Sequence, residues 1–405
     1  MPREKNKASL PQVGVLCYSL MPATVDLLNR VAWRLEGARL VVYPLVKHER
    51  DGDLQPAFDW HPTSARGRDL TLGGEIPDSQ LFALQLGTCR RLASASQVVV
   101  LLGIQSIPAV MSTWLARLRR RPVITVIQTM PALLERRRPA VIRALKRYVL
   151  RRAAHHIAQT PGTQETLERV YGLPADRISY APFDGGGHRF RHLCEQPVSD
   201  RSAVRAGLGI PPDVVVFACV ATLIYRKGVD LLLKAFAQMR ALVPADRAAR
   251  LWIIGPDGGN AGQRAQLERL AAELGIAGQV RFFGAKPLEE LVSLYRAADV
   301  FLLPTRKDVW PKVLVEAALC GLPLITTDAS SCAHTLVRDG ENGYVVPSGA
   351  IGALRQAMSL LLQDGQLRQQ MGVASRRIVA EFIDPEREAD VIAGVVSRML
   401  TGWPS

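Results

Sequence analysis

Residues 298–327, ADVFLLPTRKDVWPKVLVEAALCGLPLITT, form the stretch that decides the fold of this chain. Its apolar run from Val300 to Leu303 is short enough for a buried parallel strand. A polar loop follows, and Pro311 suits the first turn of a helix, where its missing N–H costs nothing. We therefore expect a helix from Lys312 to Cys320 and a second strand from Leu322 to Thr327.

This strand–loop–helix–strand unit offers a binding site for a phosphorylated ligand. The N-terminus of a helix presents backbone N–H groups and the positive end of the helix dipole, which favour an anion. Asp308 and Glu316 flank the helix N-terminus, eight positions apart in the sequence. A carboxylate cannot bind phosphate, but it accepts hydrogen bonds from sugar hydroxyls. The unit therefore combines donors for a diphosphate with acceptors for a ribose and a second sugar.

The pair and its surroundings resemble the family 4 glycosyltransferases, which have the GT-B fold and carry an E-x7-E pattern at this place. This chain has D-x7-E, from Asp308 to Glu316, and aspartate is one methylene shorter than the usual glutamate. Four further segments resemble motifs of the family in the same order and spacing. They are LIYRKGVDLL (223–232), LWIIG (251–255), VRFFG (280–284) and DGENGY (339–344).

The resemblance implies an α/β protein of the GT-B type, with two Rossmann-like doubly wound domains that face an interdomain cleft. We expect domain 1–200 to take the acceptor and domain 201–380 to bind the nucleotide sugar, while residues 381–405 pack back on the first domain as a helix. The alternation of apolar strands with amphipathic helices supports doubly wound sheets independently. In the first domain, strands are predicted at 12–18, 97–102 and 122–128.

The resemblance also implies a reaction and the residues that carry it. A retaining glycosyltransferase would move a sugar from a nucleotide-diphosphate sugar to a glycan or lipid-linked acceptor, without a metal or a cofactor, and the leaving diphosphate would act as the base. Lys227 would bind the diphosphate, Glu316 the ribose hydroxyls and Asp308 the transferred sugar, and these three are the predicted catalytic residues. The other predicted donor contacts are Arg226, Ala285, Lys286, Pro311, Lys312, Val313 and Leu314.

The composition is that of a folded cytoplasmic protein. The chain has 405 residues, of which 48% are hydrophobic, and this length favours two domains. It contains no apolar run long enough for a transmembrane helix, and its polar N-terminus lacks the apolar core of a signal peptide. The six cysteines are scattered without a C-x-x-C pair, which predicts reduced thiols rather than a zinc site or a disulfide framework.

The net charge of +14 is concentrated in the first half of the chain. Residues 1–200 carry 28 Lys+Arg against 17 Asp+Glu, a balance of +11, which indicates an anionic partner. The predicted helix Ala140–Arg152 is amphipathic and could lie in a membrane interface. The alternative is a core-packed helix with a solvated basic back, whereas no RNA-binding motif favours a nucleic acid. The basic residues expected on the outer side are Arg143, Lys146, Arg147 and Arg151. The apolar residues expected on the opposite side are Val141, Leu145, Tyr148 and Val149.

Three departures from the family pattern keep other functions open. The loop 19–22 lacks the glycines that relatives often carry, no histidine stands near Gln128, and Thr222 takes the place of a frequent arginine. A non-catalytic GT-B partner protein and a GT-B nucleotide-sugar epimerase are therefore the alternatives. The sequence leaves the sugar, the base, the acceptor and the oligomeric state open.

Overall fold

The computed structural model divides the chain into two compact units. The first comprises Met1–Gly186 and Asp384–Ser405, and the second comprises Gly187–Ile383. The described residues are 10–17, 22–35, 37–44, 59–60, 79–104, 106–128, 135, 138–183, 187–196, 200–242, 248–258, 262–308, 310–330 and 332–402. Most of the glycine-free loop 19–22 therefore lies outside the described residues.

A parallel sheet forms the centre of the first unit. Its strands are β1 Gln12–Cys17, β2 Arg39–Pro44, β3 Asp59–Trp60, β4 Val98–Leu102, β5 Val123–Ile127, β6 His155–Ala158 and β7 Ile178–Tyr180. They form one seven-stranded sheet in the order β3-β2-β1-β4-β5-β6-β7. The helices between them are α1 Pro22–Arg34, α2 Ser79–Ala95, α3 Ile107–Leu118, α4 Ala140–Arg152 and α5 Pro161–Glu165, which continues as the π-helical segment Thr166–Val170.

Both faces of this sheet are covered, so its central strands are apolar along their length. In β4 the neighbouring residues Val99 and Val100 point to opposite faces. Val99 lies in a core with residues of α2, α3 and α4. Val100 lies in a second core with residues of α1 and of the C-terminal helix. The first half is therefore doubly wound, as predicted.

The second unit is built on another parallel sheet. Its strands are β8 Val215–Val220, β9 Ala249–Ile254, β10 Val280–Gly284, β11 Val300–Leu303, β12 Leu324–Thr327 and β13 Gly343–Val346. Their order is β10-β9-β8-β11-β12-β13. The helices are α6 Gly187–Glu195, α7 Arg201–Gly207, α8 Val229–Leu242, α9 Gln263–Glu273, α10 Leu288–Ala297, α11 Lys312–Leu319, α12 Ala333–Leu336, α13 Ile351–Gln363 and α14 Gly365–Ala380.

The chain passes from the first unit to the second after Gly186, earlier than the predicted division at residue 200. Helix α6 belongs to the second unit, where its Phe190 packs edge-on against Tyr295 of α10 at 5.8 Å between ring centroids. An aromatic anchor of this kind fixes the helix to that core.

The C-terminal helix α15, Pro385–Gly402, belongs to the first unit although it follows the second in the chain. Its residues Ile392 and Val396 join the core beneath α1. Acidic residues of its first two turns pair with α1, where Arg34 contacts both Glu386 and Asp390.

Helix α4 has the predicted bounds, but Lys146 does not lie on its outer face. Lys146 is only 1% exposed, and its Nζ donates to Oε1 of Glu135 at 2.6 Å. The hydroxyl of Tyr171 donates to the other oxygen of Glu135 at 2.7 Å. The prediction for Lys146 is therefore wrong, because a buried acid from outside the helix draws the ammonium inward.

The other three basic residues of the predicted outer side, Arg143, Arg147 and Arg151, are exposed. Val141 was predicted on the apolar side, yet it is 70% exposed. The buried arc of α4 is therefore rotated from the predicted one, and it contains Lys146, Val149 and Leu150.

Candidate active site

The second sheet reverses its strand order between β8 and β11. These strands pair directly, whereas β9 and β10 extend the sheet on one side and β12 and β13 extend it on the other. In open α/β sheets, ligands bind outside the carboxyl ends of the strands at such a switch point. The segments after β8 and β11 carry all three predicted catalytic residues, Lys227, Asp308 and Glu316.

A glycine allows the loops after β8 and β11 to touch. The first loop ends in the 3-10 turn Tyr225–Lys227, and Gly228 follows with φ 71° in the left-handed region. A Cβ atom at Gly228 would lie 2.0 Å from the carbonyl oxygen of Pro304, just after β11. Only glycine permits this approach, so the Lys–Gly motif has a packing role beside any chemical one.

Arg306 ties the same two loops together with its side chain. Its guanidinium makes two hydrogen bonds to the carboxylate of Asp230, of 2.7 and 2.6 Å, and lies 3.9 Å from the ring centroid of Tyr225. Its backbone N–H donates to the carbonyl of Arg226 at 2.8 Å. Bidentate pairing and stacking fix both position and orientation, so Lys227 projects from a rigid turn.

Lys227 and Asp308 form an ion pair across these loops. Nζ of Lys227 lies 2.5 Å from Oδ2 of Asp308, and the two side chains are 14% and 9% exposed. The backbone N–H of Asp308 donates to the carbonyl of Ala329 at 3.1 Å, which holds the carboxylate in place. An ammonium has three donors, so the contact with Asp308 leaves capacity for the oxygens of a phosphate.

Arg226 adds a second positive charge at the edge of this pair. Its side chain is 46% exposed, and Nη1 lies 3.8 Å from Oδ1 of Asp308. The same nitrogen donates to the carbonyl of Lys307 at 3.0 Å. Arg226 is therefore anchored close to Asp308.

Glu316 lies on α11 and has a different partner. Its Oε2 accepts a hydrogen bond of 3.0 Å from the hydroxyl of Tyr295. Burial of the carboxyl group raises the pKa of Glu316, and the Tyr295 hydrogen bond and the charge of Lys312 offset this in part. Burial also raises the pKa of Tyr295 well above its ordinary value, and Glu316 adds to this, so the tyrosine remains a donor. Among the described residues, no hydrogen bond or ion pair joins Glu316 to Lys227 or Asp308.

The start of α11 supplies the predicted backbone donors only in part. Pro311 precedes the helix with φ −72° and ψ 102° and has no N–H to donate. The N–H of Leu314 donates to the carbonyl of Pro311 at 3.0 Å. The donors of the first turn that face a ligand would therefore come from Lys312 and Val313, which remain predicted contacts.

Ala285 and Lys286 follow β10, and β9 separates that strand from β8 in the sheet. Ala285 is exposed, and Nζ of Lys286 pairs with Glu290 of α10 at 2.8 Å. Among the described residues, no hydrogen bond or ion pair joins either of them to Lys227 or Asp308. Their role toward a nucleotide base stays a prediction.

Among the residues that the structure describes, no group of three or more His, Cys, Asp or Glu side chains could hold a metal ion. The same residues contain no helix with the length and apolarity needed to cross a membrane.

Sequence reasoning missed Tyr295 and Arg306, which position the predicted residues. Tyr295 occupies an apolar position of α10 and reads as a core residue until its hydroxyl is seen to meet Glu316. Arg306 lies in a polar loop, and its partner Asp230 stands far away in the sequence, so no local pattern reports their pairing.

Comparison with known proteins identifies the class of the fold. The structure of HepE from Anabaena in complex with UDP matches with a TM-score of 0.71 and 19% identity, covering 96% of this chain and 100% of that one. The glycosyltransferase WaaG, described as involved in lipopolysaccharide biosynthesis, matches with a TM-score of 0.64 and 21% identity, covering 94% of this chain and 100% of that one. The chain therefore has the GT-B fold, as predicted.

Two family models cover most of the sequence. The model described as "Glycosyl transferase 4-like domain" matches residues 28–184, and the model described as "Glycosyl transferases group 1" matches residues 200–378. The chain belongs to the family 4 glycosyltransferases.

The curated relatives carry a more specific name. D-inositol 3-phosphate glycosyltransferase of Nocardia farcinica is 32% identical over 238 residues, which is 58% of this chain and 51% of that protein. The enzyme of that name from Corynebacterium diphtheriae is 34% identical over 227 residues, 56% of this chain and 52% of that protein. The matches thus span about half the length of these relatives.

Proposed function

We propose that this chain is a retaining glycosyltransferase that takes its sugar from a nucleotide-diphosphate donor. The observation that carries the proposal is the meeting of Lys227 and Asp308 at the switch point of the second sheet, with Glu316 on the helix that follows. The family membership supports it, and so do two structures of HepE, one in complex with UDP and one in complex with UDP-glucose.

Stabilisation of the leaving diphosphate is the main catalytic contribution in this proposal. Lys227 supplies a point charge from a rigid turn, and the N-terminus of α11 supplies N–H groups and the helix dipole. Removal of a single donor to a developing negative charge costs about 2.7–4 kcal/mol in other enzymes. Two such contributions are large enough to account for much of the rate enhancement of the transfer reaction.

Asp308 and Glu316 would hold hydroxyl groups on either side of the diphosphate. In this proposal Lys227 bridges the Asp308 carboxylate and the phosphates, so it screens two negative charges from each other. Asp308 then accepts hydroxyls of the transferred sugar, and Glu316, oriented by Tyr295, accepts those of the ribose. The leaving diphosphate would remove the acceptor proton on the face from which it departs, which retains the anomeric configuration. No metal or resident cofactor takes part in this scheme.

The acceptor would be a glycan or a lipid-linked molecule at an anionic membrane surface. Helices α3 and α4 cover one face of the first sheet. Trp114 and Leu118 of α3 are 54% and 63% exposed, and three basic residues of the neighbouring helix α4 are also exposed. We call this set, Trp114, Leu118, Arg143, Arg147 and Arg151, the outer basic face. Each basic residue near an anionic leaflet contributes on the order of 1 kcal/mol to attachment.

The names of the relatives favour a second acceptor class, a phosphorylated polyol. The surplus of +11 in residues 1–200 suits an anionic acceptor of this type equally well. One assay distinguishes the two acceptor classes, because only the lipid-linked acceptor requires vesicles.

The test of catalysis is release of nucleoside diphosphate from a panel of nucleotide sugars, alone, with lipid extract or with inositol phosphate. The proposal expects acceptor-dependent release by the wild type and a large loss in Glu316→Ala. A protein that interconverts nucleotide sugars without acceptor would be an epimerase. A protein that neither binds nor consumes any donor would be a non-catalytic partner, and either result rejects the proposal.

The test of membrane attachment is flotation with vesicles containing anionic lipid. Arg143, Arg147 and Arg151 changed together to Glu should abolish flotation. Lys146 must be kept, because its loss would leave a buried carboxylate unpaired. The matched control changes three arginines of the second unit, Arg269, Arg281 and Arg355, to Glu and should float as the wild type does. Equal flotation of both triple variants would reject the membrane proposal.

A further inference from the structure

Two free cysteines of the second unit lie side by side. Cys194 is near the end of α6, and Cys320 directly follows α11. Their Sγ atoms are 3.7 Å apart. A disulfide has its sulfurs about 2.05 Å apart, so a shift of under 2 Å would bring the pair to bonding distance.

The surroundings favour reaction of one thiol of the pair. Cys194 is partly exposed, whereas Cys320 is buried. The hydrogen bond from Cys320 lowers the pKa of Cys194, and the charges of Arg296 and Arg376 lower it further, while that contact and burial raise the pKa of Cys320 well above its ordinary value. An accessible thiol with thiolate character beside a second thiol is the arrangement of a redox-reactive pair.

Hydrogen bonds to the backbone hold Arg296 and Arg376 next to the two cysteines. Arg296 donates to the carbonyl of Cys194, and Nη2 of Arg376 donates to the carbonyl of Cys320 at 3.1 Å. Gly321 has φ 77°, and a Cβ there would lie 2.5 Å from the Arg376 guanidinium carbon. Because Gly321 has no side chain, the Arg376 guanidinium can lie against the backbone next to Cys320.

We propose that Cys194 and Cys320 form a reversible disulfide when the protein meets a peroxide. The Cys194 thiolate attacks one oxygen of hydrogen peroxide, an S–O bond forms, the O–O bond breaks, and the released hydroxide takes a proton to become water. The Cys320 sulfur then attacks the Cys194 sulfenic acid, the S–S bond forms, and the S–O bond breaks. The second hydroxide takes the proton lost by Cys320. The sum is two thiols and one peroxide converted to a disulfide and two waters, and a dithiol reverses it.

This pair is connected to the candidate active site. Glu316 of α11 precedes Cys320 by four residues, and Phe190 precedes Cys194 by four residues on α6. Tyr295 contacts both, with its ring against Phe190 at 5.8 Å and its hydroxyl on Glu316 at 3.0 Å. Closing the disulfide would draw α6 and α11 together and displace Glu316. The expected effect on donor binding rests on the proposed function.

The bridge is tested by a peptide map without reduction. The reduced protein is treated with hydrogen peroxide, free thiols are blocked with iodoacetamide, and the protein is digested with trypsin. The expected product joins peptide 192–201 to peptide 313–338 and is lighter than their sum by two hydrogens. It should be lost in Cys194→Ser and after dithiothreitol. Because peptide 313–338 also holds Cys332, the variant Cys332→Ser should retain the bridge.

Full alkylation of Cys194 after peroxide, or its oxidation to a sulfinic acid with Cys320 still free, would overturn the proposal. The link to the active site is measured by titrating UDP into the reduced and oxidised protein. We expect at least threefold weaker binding after oxidation, and no change in peroxide-treated Cys194→Ser. A bridge that leaves UDP affinity unchanged would refute the link. UDP binding by neither form would instead count against the proposed function, since the peptide map does not depend on it.

Discussion

Replacement of Lys227 by methionine separates the structural role of the Lys227–Asp308 pair from its proposed role in binding. Without the ammonium, the Asp308 carboxylate stays 9% exposed with Arg226 as its nearest cation, 3.8 Å from its other oxygen. Breaking a buried ion pair costs about 3–5 kcal/mol, and Arg226 places the expected loss near the lower end, about 3 kcal/mol. For a unit of this size each kcal/mol shifts the melting temperature by roughly 2–4 °C, so we expect a fall of about 6–12 °C.

The assay is scanning calorimetry of the wild type, the Lys227→Met variant and the double variant with Asp308→Asn. The double variant should recover most of the lost stability, because no buried charge remains unpaired. Its affinity for UDP should not recover, because the proposed phosphate contact is still missing. A wild-type melting temperature in Lys227→Met, or no recovery in the double variant, would refute the reasoning from burial.

Three further predictions concern single positions. Gly228→Ala should destabilise the protein by about 4 kcal/mol or more in a urea titration, because the added Cβ would lie 2.0 Å from the Pro304 carbonyl oxygen. The control Gly340→Ala, where φ is 75° and no atom lies within 4 Å of the added Cβ, should cost only about 1–2 kcal/mol. Equal losses of stability in the two variants would contradict this prediction. Glu316→Gln should be more stable than the wild type at pH 7, and the difference should vanish below pH 4.5, the ordinary pKa of a glutamate. The reason is that a carboxyl group whose pKa is raised by folding destabilises the folded state as the pH rises above its ordinary pKa. Urea midpoints of the two proteins that differ equally at pH 4 and pH 7 would argue against this prediction. Lys146→Met should lower the stability measured by thermal melting by about 3–5 kcal/mol, because it leaves the buried Glu135 carboxylate without its cation. Adding Glu135→Gln to this variant should restore most of the lost stability. An unchanged melting temperature in Lys146→Met would indicate that the lysine lies in solvent.

The second unit was the more predictable half, because its signals are local. The strand Val300–Leu303 has the predicted bounds, and α11 starts at Lys312 as expected, because a short apolar run and a proline at a helix start act within a few residues. The proximity of Lys227 to Asp308 followed from family resemblance, and the structure adds its cause, the close approach at Gly228.

The failures come from contacts that join distant parts of the chain. The charge pattern of α4 placed Lys146 outside, since nothing in the helix itself announces Glu135 as a partner. A helical wheel reports which residues share a side, but burial depends on what packs against that side. The contact between Cys194 and Cys320 is likewise invisible in the sequence, where the scattered cysteines predicted only reduced thiols.

One calorimetric titration decides whether the switch point of the second sheet binds a nucleoside diphosphate. UDP is titrated into the wild type and into the Lys227→Met, Asp308→Asn double variant, after both are shown to melt at similar temperatures. Loss of a largely buried charge contact costs about 2 kcal/mol or more, so we predict binding by the wild type and at least roughly 30-fold weaker binding by the variant. Equal affinity in the two proteins would contradict the assignment of Lys227 to the diphosphate and with it the proposed site.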